Sequence, residues 1–207
     1  VGAIEGMKER PKVLVSASAI GYYGSRGDEE LDEASLPGEG LMARICRSWE
    51  EEAKRARGFG VRVVNLRIGM VLGGGGGALA FLLPLFRLGL GGRFGGGAQW
   101  MSWIHVEDLV SLIMHAVVRE DIDSPVNGVS PHPVTNADFT RAVADAVGRP
   151  AFMRYPPFVL KIAFGGASGM LLSSQRVSPR VAEETGFEFG YPHLSDALKA
   201  VVRAGKG

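Results

Sequence analysis

Two short apolar runs on either side of one amphipathic helix constrain this chain more than any other feature. Lys12-Val13-Leu14-Val15-Ser16 follows a proline and shows no polar alternation, the pattern of a strand covered on both faces. From Leu41 to Arg57, Leu41, Ile45 and Trp49 share one helical face, with Met42, Cys46 and Ala53 beside them. Gly58 and Gly60 then stop the helix. Val61 to Leu66 alternates and then continues apolar through Val71-Leu72, a second buried strand and its exit. A strand, a helix and a strand with short connections form the unit of a parallel sheet, so the fold class is α/β.

The rest of the chain extends that pattern. Five glycines, Gly73 to Gly77, precede a helix from about Ala78 to Leu88, and a second glycine-rich segment runs from Gly89 to Gly97. Gln99 to Val106 reads as extended, feeding a helix from Glu107 to about Arg119, and Val126 to Ser130 as a short strand. Thr135, with Asp138 three residues on, is an N-cap for the amphipathic run Phe139 to Val147. After Pro150 the elements shorten. A helix ends near Phe164, a strand is expected at Phe187–Phe189, and a last helix runs from His193 to Arg203. This change of texture divides the chain into residues 1–148 and a small subdomain of residues 149–207. At the other end, Val1, Ile4 and Met7 recur at helical spacing and run straight into Arg10-Pro11. They read as the tail of a helix whose beginning is absent, so the chain is expected to be part of a longer protein.

Composition excludes several classes of function. The 23 Lys and Arg nearly balance the 22 Asp and Glu, giving +1 over 207 residues, so a nucleic-acid partner is not expected. The single Cys46 cannot form an internal disulfide. The longest apolar stretch, Ala78 to Phe86, is interrupted by Pro84 and is too short to span a bilayer. A soluble, cytoplasmic protein with no membrane partner is the expectation. His105, His115, His132 and His193 have no paired spacing, so no metal site is expected. There is no Gly-x-Ser-x-Gly, and the five-glycine run ends in Ala78-Leu79 where a phosphate loop would need Gly-Lys-Ser/Thr. That run is as readily a structural loop as a ligand-facing one.

Three segments in order carry a more specific signal. Val15-Ser16-Ala17-Ser18-Ala19-Ile20-Gly21-Tyr22-Tyr23-Gly24 leaves the first strand, and Asn65-Leu66-Arg67-Ile68-Gly69-Met70-Val71-Leu72-Gly73 leaves the second. Trp103-Ile104-His105-Val106-Glu107-Asp108-Leu109-Val110 follows. Together they resemble the extended short-chain dehydrogenase/reductases, the sugar-nucleotide epimerases and dehydratases. Finer details resemble an atypical epimerase-family branch with a small C-terminal domain. These are Gly89-Leu90-Gly91-Gly92, Gln99-Trp100-Met101-Ser102-Trp103, Val134-Thr135-Asn136-Ala137-Asp138-Phe139, and Pro179-Arg180 ahead of Gly186-Phe187.

The resemblance implies a doubly wound NAD(P)-binding Rossmann fold, here its C-terminal part followed by a small α+β subdomain. The glycine turn that cradles the pyrophosphate in that family lies before the region matched. The cofactor implied is NADP or NAD, with NADP ahead. The superfamily's Tyr-x-x-x-Lys pair, in which the lysine charge favours tyrosinate, is absent: the residues four beyond Tyr22, Tyr23, Tyr155 and Tyr191 are Arg26, Gly27, Val159 and Ser195. With Glu50 at the usual acidic position, Met42 and Cys46 fall on the two sites. The atypical branch is similar in lacking the pair.

The resemblance and the residue types together yield the candidates. Ser18, with Ser16 as its rival for the superfamily's hydroxyl, and Tyr22 and Tyr23 are the catalytic ones. Ser16, Ala17, Arg67, Ile68, Gly69 and Met70 would line the nicotinamide, with Arg67 equally readable as a ligand for a phosphate or carboxylate or as a sheet-end ion pair. Gln99, Trp100, Trp103 and His105 would face the substrate. The chemistry expected is that of an NAD(P)-dependent oxidoreductase or epimerase-like enzyme acting on an unidentified small molecule, with a homodimer as a further expectation. The competing reading is a protein that keeps the dinucleotide and has lost the reaction, serving regulation or interaction.

Overall fold

The structure, a computed structural model, describes residues 1–165 and 168–204. A short helix α1 (Gly2–Glu5) precedes β1 (Val13–Ala19), β2 (Glu30–Leu31), α2 (Leu41–Lys54), β3 (Arg62–Ile68), β4 (Met70–Leu72) and α3 (Gly77–Arg87). Next come β5 (Gly92–Phe94), β6 (Trp100–Met101), β7 (Trp103–His105), α4 (Val106–Val118), β8 (Val126–Gly128), β9 (Val134–Thr135) and α5 (Asn136–Val147). The chain closes with β10 (Met153–Tyr155), α6 (Pro157–Phe164), α7 (Ser168–Leu172), β11 (Arg176–Val177), α8 (Arg180–Glu184) and α9 (Leu194–Ala204).

The central sheet is parallel, in the order β1-β3-β8. β3 lies in its middle and is buried along most of its length, its polar Asn65 and Arg67 included. Strand alternation sends Val64 and Leu66 toward α4, where they join Ile104, Leu109 and Leu112. Val63 turns the other way and packs with Ala53 and Ala56 at the end of α2. Asn65 and Arg67 share that second face, so the sheet carries polar groups into its interior.

The region after Gly148 has no core of its own in its last helix. α9 lays Leu194, Leu198 and Val201 into one cluster with Phe139 and Val143 of α5, which also holds Leu72, Leu79 and Trp103. Thr135 caps α5 as its sequence predicts, its hydroxyl accepting from the Asp138 amide at 3.2 Å. Phe187–Phe189 corrects the sequence reading, because it forms no strand. Its two rings instead pack edge to face at 4.8 Å against the α4 cluster, a role alternation alone cannot separate from sheet pairing. The glycine-rich segment after α3 contains β5, which pairs in parallel with β10. Among the described residues no helix is long and apolar enough to cross a membrane.

Candidate functional site

β1 and β3 end side by side, with Ser16 opposite Asn65, Ser18 opposite Arg67 and Ala19 opposite Ile68. Open parallel sheets bind ligands outside such carboxyl ends. The chain leaves β1 through one 3-10 turn, Ile20–Tyr23, and leaves β3 through Gly69 into β4. A Cβ at Gly69 would stand 2.6 Å from the Ser102 carbonyl oxygen and 2.7 Å from the Val129 side chain, so close packing behind the strand demands glycine there.

Behind these strand ends lies a buried polar network. Arg67 donates from Nε to Glu50 Oε1 at 2.8 Å and from Nη2 to Oε2 at 2.9 Å, a two-point pair between side chains 3% and 2% exposed. Ser18 donates to the same Glu50 Oε1 at 2.9 Å. The remaining Arg67 Nη1 donates to the Tyr23 hydroxyl at 2.9 Å, which itself donates to Asn127 Oδ1 at 2.7 Å. Asn127 completes the chain by donating from its side chain to the Ser178 carbonyl and from its backbone to Glu33 Oε1. The network thereby joins α2, β1, β3, β8 and the segment before α8.

Burial sets the electrostatics of this network. It works against the charge on Arg67, but the bonds to Glu50 and Tyr23 prevail and raise the guanidinium's pKa, so it stays protonated. Burial also pushes the Tyr23 phenol up from 10.0 to about 12, with Arg67 pulling only partly in the other direction. Glu33 is raised by burial as well. Because folding raises the Tyr23 value, its contribution to stability is complete below pH 10 and is lost as the pH climbs toward 12. Alkaline unfolding followed by circular dichroism should therefore be shallower in Tyr23→Phe than in the parent over that window. Identical slopes would remove Tyr23 as a contributor.

On α2, Met42, Cys46 and Glu50 occupy successive turns of one face. A Cβ at Gly21 would lie 3.3 Å from Met42 Cβ and 3.7 Å from Cys46 Sγ, so these two side chains back the 3-10 turn. The thiol is buried and its pKa is pushed up by that burial, which makes it a poor nucleophile.

The predicted site residues therefore separate into groups. Ser18, Tyr23 and Arg67 are brought together, but inside the protein and bonded to one another. Tyr22 is half-buried at the turn, its ring 3.5 Å from the Arg67 guanidinium and edge-on to Tyr23. Ser16, Ile68, Gly69 and Met70 are half-buried at the strand ends, and Ala17 is exposed. Gln99 is occupied by the carbonyls of Phe94 and Leu171, while Trp100 donates to Asp28 and lies under the Arg176 guanidinium.

Trp103 and His105 belong to the interior, because β7 is buried throughout. The Trp103 indole donates to the His132 carbonyl; the His105 ring accepts from the Glu107 amide and packs on Tyr191. Asp108 accepts from the Gly190 and Tyr191 amides, so this whole motif ties α4 to the approach of α9. Among the described residues no three His, Cys, Asp or Glu side chains come together to hold a metal ion.

The sequence assigns Asn127 and Glu33 no role, leaves the ion pair open for Arg67 without a partner, and marks Glu50 only as an alignment position. A signal for the pair existed. Glu50 lies on the buried stripe of α2 with Ala43, Cys46 and Ala53, and Arg67 lies within an apolar strand. Two opposite charges on buried faces require each other.

Comparison with known proteins bears on this arrangement. Residues 155–201 match a family model described as a domain of unknown function, DUF1731. An Arabidopsis thaliana protein named epimerase family protein SDR39U1 homolog, chloroplastic, is 43% identical over 194 residues, covering 94% of this chain and 56% of its own length. The crystal structure of human epimerase family protein SDR39U1 with NADPH superimposes with a TM-score of 0.92 at 37% identity, covering 98% of this chain and 69% of that one. This chain belongs to the SDR39U1 epimerase family. Its fold is the Rossmann-like one of that family, shared with Thermus thermophilus UDP-glucose 4-epimerase in complex with NAD at a TM-score of 0.76 and 20% identity. Against these SDR39U1 relatives the chain spans 56% of the Arabidopsis protein and 69% of the human one.

Proposed function

We propose that this chain forms the nicotinamide and substrate side of an NADP(H)-binding, epimerase-like protein that exchanges hydride with a small molecule. The observation that carries this reading is the parallel β1–β3 pair, whose ends Ala19 and Ile68 lie side by side with half-buried Tyr22 beside them. The residues present suit the nicotinamide end of a dinucleotide and not its pyrophosphate. Among the described residues, no glycine turn joins a strand of the central sheet directly to the N-terminus of a helix. When bound, the nicotinamide would supply or accept the hydride. Ser16, Ala17 and Ile68–Met70 would border its ring, while Tyr22, held over Arg67, would present its phenol to the substrate.

The extra length of the relatives has a place to pack. β1 pairs only with β3 among the described residues, and the outer face of α4 exposes Val106, Val110, Met114 and Val117. We assign the pyrophosphate-binding part of the longer protein to this edge and face. A homodimer through α2, which exposes Leu41 and Trp49, and a cytoplasmic location belong to the same proposal. Light scattering and cell fractionation test those two points.

Calorimetric titration of NADPH and NADH into the longer protein tests the main reading. NADPH should bind more tightly than NADH. Tyr22→Phe should leave that affinity within about twofold while lowering NADPH consumption by about 10²-fold or more with any carbonyl substrate found in a panel, the contribution of one positioned acid. Failure of both nucleotides to bind would end the proposal. One observation favours a second reading, binding without turnover: the Ser18 and Tyr23 hydroxyls are already bonded inside the protein, and Met42 and Cys46, which the resemblance aligns with the superfamily's Tyr-x-x-x-Lys pair, back the turn instead. NADPH binding with no consumption across the panel would select it.

A further inference from the structure

A cleft lies away from the strand ends, between α5 and the β5–β10 pair, with a volume of about 710 Å³. That size suits a small-molecule ligand. Arg93, Arg141, Arg149 and Arg154 line it against one acid, Asp145, in a chain whose net charge is only +1. Arg93 and Arg154 are direct register partners across the parallel β5–β10 pair. They are therefore like charges on one face of adjacent strands, which lie only about 4.8 Å apart. Such a pairing is unfavourable unless an anion stands between the two. Among the described residues neither has an ion-pair partner, whereas Arg141 is held by Asp138 at 2.9 Å.

The cleft is also shaped around one of these arginines. Arg93 is half-buried, and its stem runs over Gly97. A Cβ at Gly97 would come within 3.2 Å of Arg93 Cδ and 3.1 Å of the Ala137 Cβ. Phe152, directly before β10, also lines the cleft and is 87% exposed, an apolar surface with nothing over it.

We propose that this cleft binds a small organic molecule carrying a pyrophosphate or a pair of adjacent phosphates. Arg93 and Arg154 clasp the anion, and Phe152 takes the organic body. Guanidinium groups bind phosphate oxygens in two-point contacts, which suits two arginines held side by side. The anion also relieves the repulsion between them, so binding and local stability are coupled.

The test uses inorganic pyrophosphate as the probe, titrated into the parent, Arg93→Gln and Arg154→Gln with NADPH saturating, so that a dinucleotide site does not compete for it. Each variant should bind pyrophosphate about tenfold more weakly, the scale of one lost charge-assisted contact. Without pyrophosphate, Arg154→Gln should melt at or above the parent temperature because the like-charge pair is gone. Equal pyrophosphate affinity in all three proteins overturns the proposal and leaves an adventitious ion only. A lower melting point for Arg154→Gln also overturns it, since the arginine would then serve the fold. Co-sedimentation with phosphatidylglycerol vesicles that is lost in Arg154→Gln, beside unchanged pyrophosphate affinity, would assign the arginines to lipid headgroups instead. The comparison among the three proteins does not require NADPH to bind, so it stands apart from the reading of the strand ends.

Discussion

Arg67→Met should destabilise the protein by about 3–5 kcal/mol, the cost of leaving a buried charge without its partner. Glu50 is 2% exposed, and Arg67 supplies two of the three hydrogen bonds its carboxylate accepts. Once the guanidinium is gone, the Ser18 hydroxyl alone faces the carboxylate, and the Tyr23 oxygen loses its donor. Urea denaturation of the parent and the variant measures the difference. Replacing both partners with apolar side chains, Arg67→Met with Glu50→Leu, should recover most of the loss, because neither charge then has to be desolvated. A single variant within about 1 kcal/mol of the parent would mean that water reaches Glu50 and that the network is not the interior it appears from burial.

The same pair has a consequence at the surface. The Tyr22 ring lies 3.5 Å from the Arg67 guanidinium, so Glu50 indirectly fixes the one candidate phenol that stays half-buried at the strand ends. The rescued double variant should keep its fold and lose this support. The network is therefore best understood as a foundation for the site: its charges are spent on one another, and what they provide is the position of the 3-10 turn above them.

The sequence and the structure agree where the signal is local. The strand β3, the helix α2 and the Thr135 cap each depend on neighbours within a turn or a strand, and each is found; the apolar face expected on α2 is not, because Leu41 and Trp49 are exposed and the buried face is Ala43, Cys46, Glu50 and Ala53. Agreement stops where a side chain's partner is distant. Tyr23 and Asn127 are 104 positions apart, and strand alternation says that Arg67 points to one face without saying what waits there. Phe187 and Phe189 show the converse error. Alternating aromatics suit a strand, but here they fill the space beside α4 without pairing. Trp103, His105 and Asp108 form a motif legible by resemblance; a core tryptophan and a helix-start His105 are also readable from the sequence, while the partners that tie the helices together are revealed by geometry.

This 207-residue chain should bind NADPH on the order of 10³-fold more weakly than the full-length human relative, the equivalent of about 4 kcal/mol. The reasoning is one of donors. A pyrophosphate is held mainly by backbone N–H groups at a helix N-terminus behind a glycine turn, each charge-assisted bond contributing about 1.5–3 kcal/mol. At the exit of β3 two amides are already used, Gly69 N bonding to the Gly128 carbonyl and Met70 N to that of Ser102. The glycine run from Gly73 leads instead to α3, beyond β4 and outside the central sheet. What remains is contact with the nicotinamide ring, an uncharged surface at the ends of two strands. Parallel calorimetric titrations of the two proteins measure the ratio. Equal affinity would show that these residues hold the pyrophosphate through a route other than a strand-end glycine turn, and the five-glycine run would then become the first place to substitute.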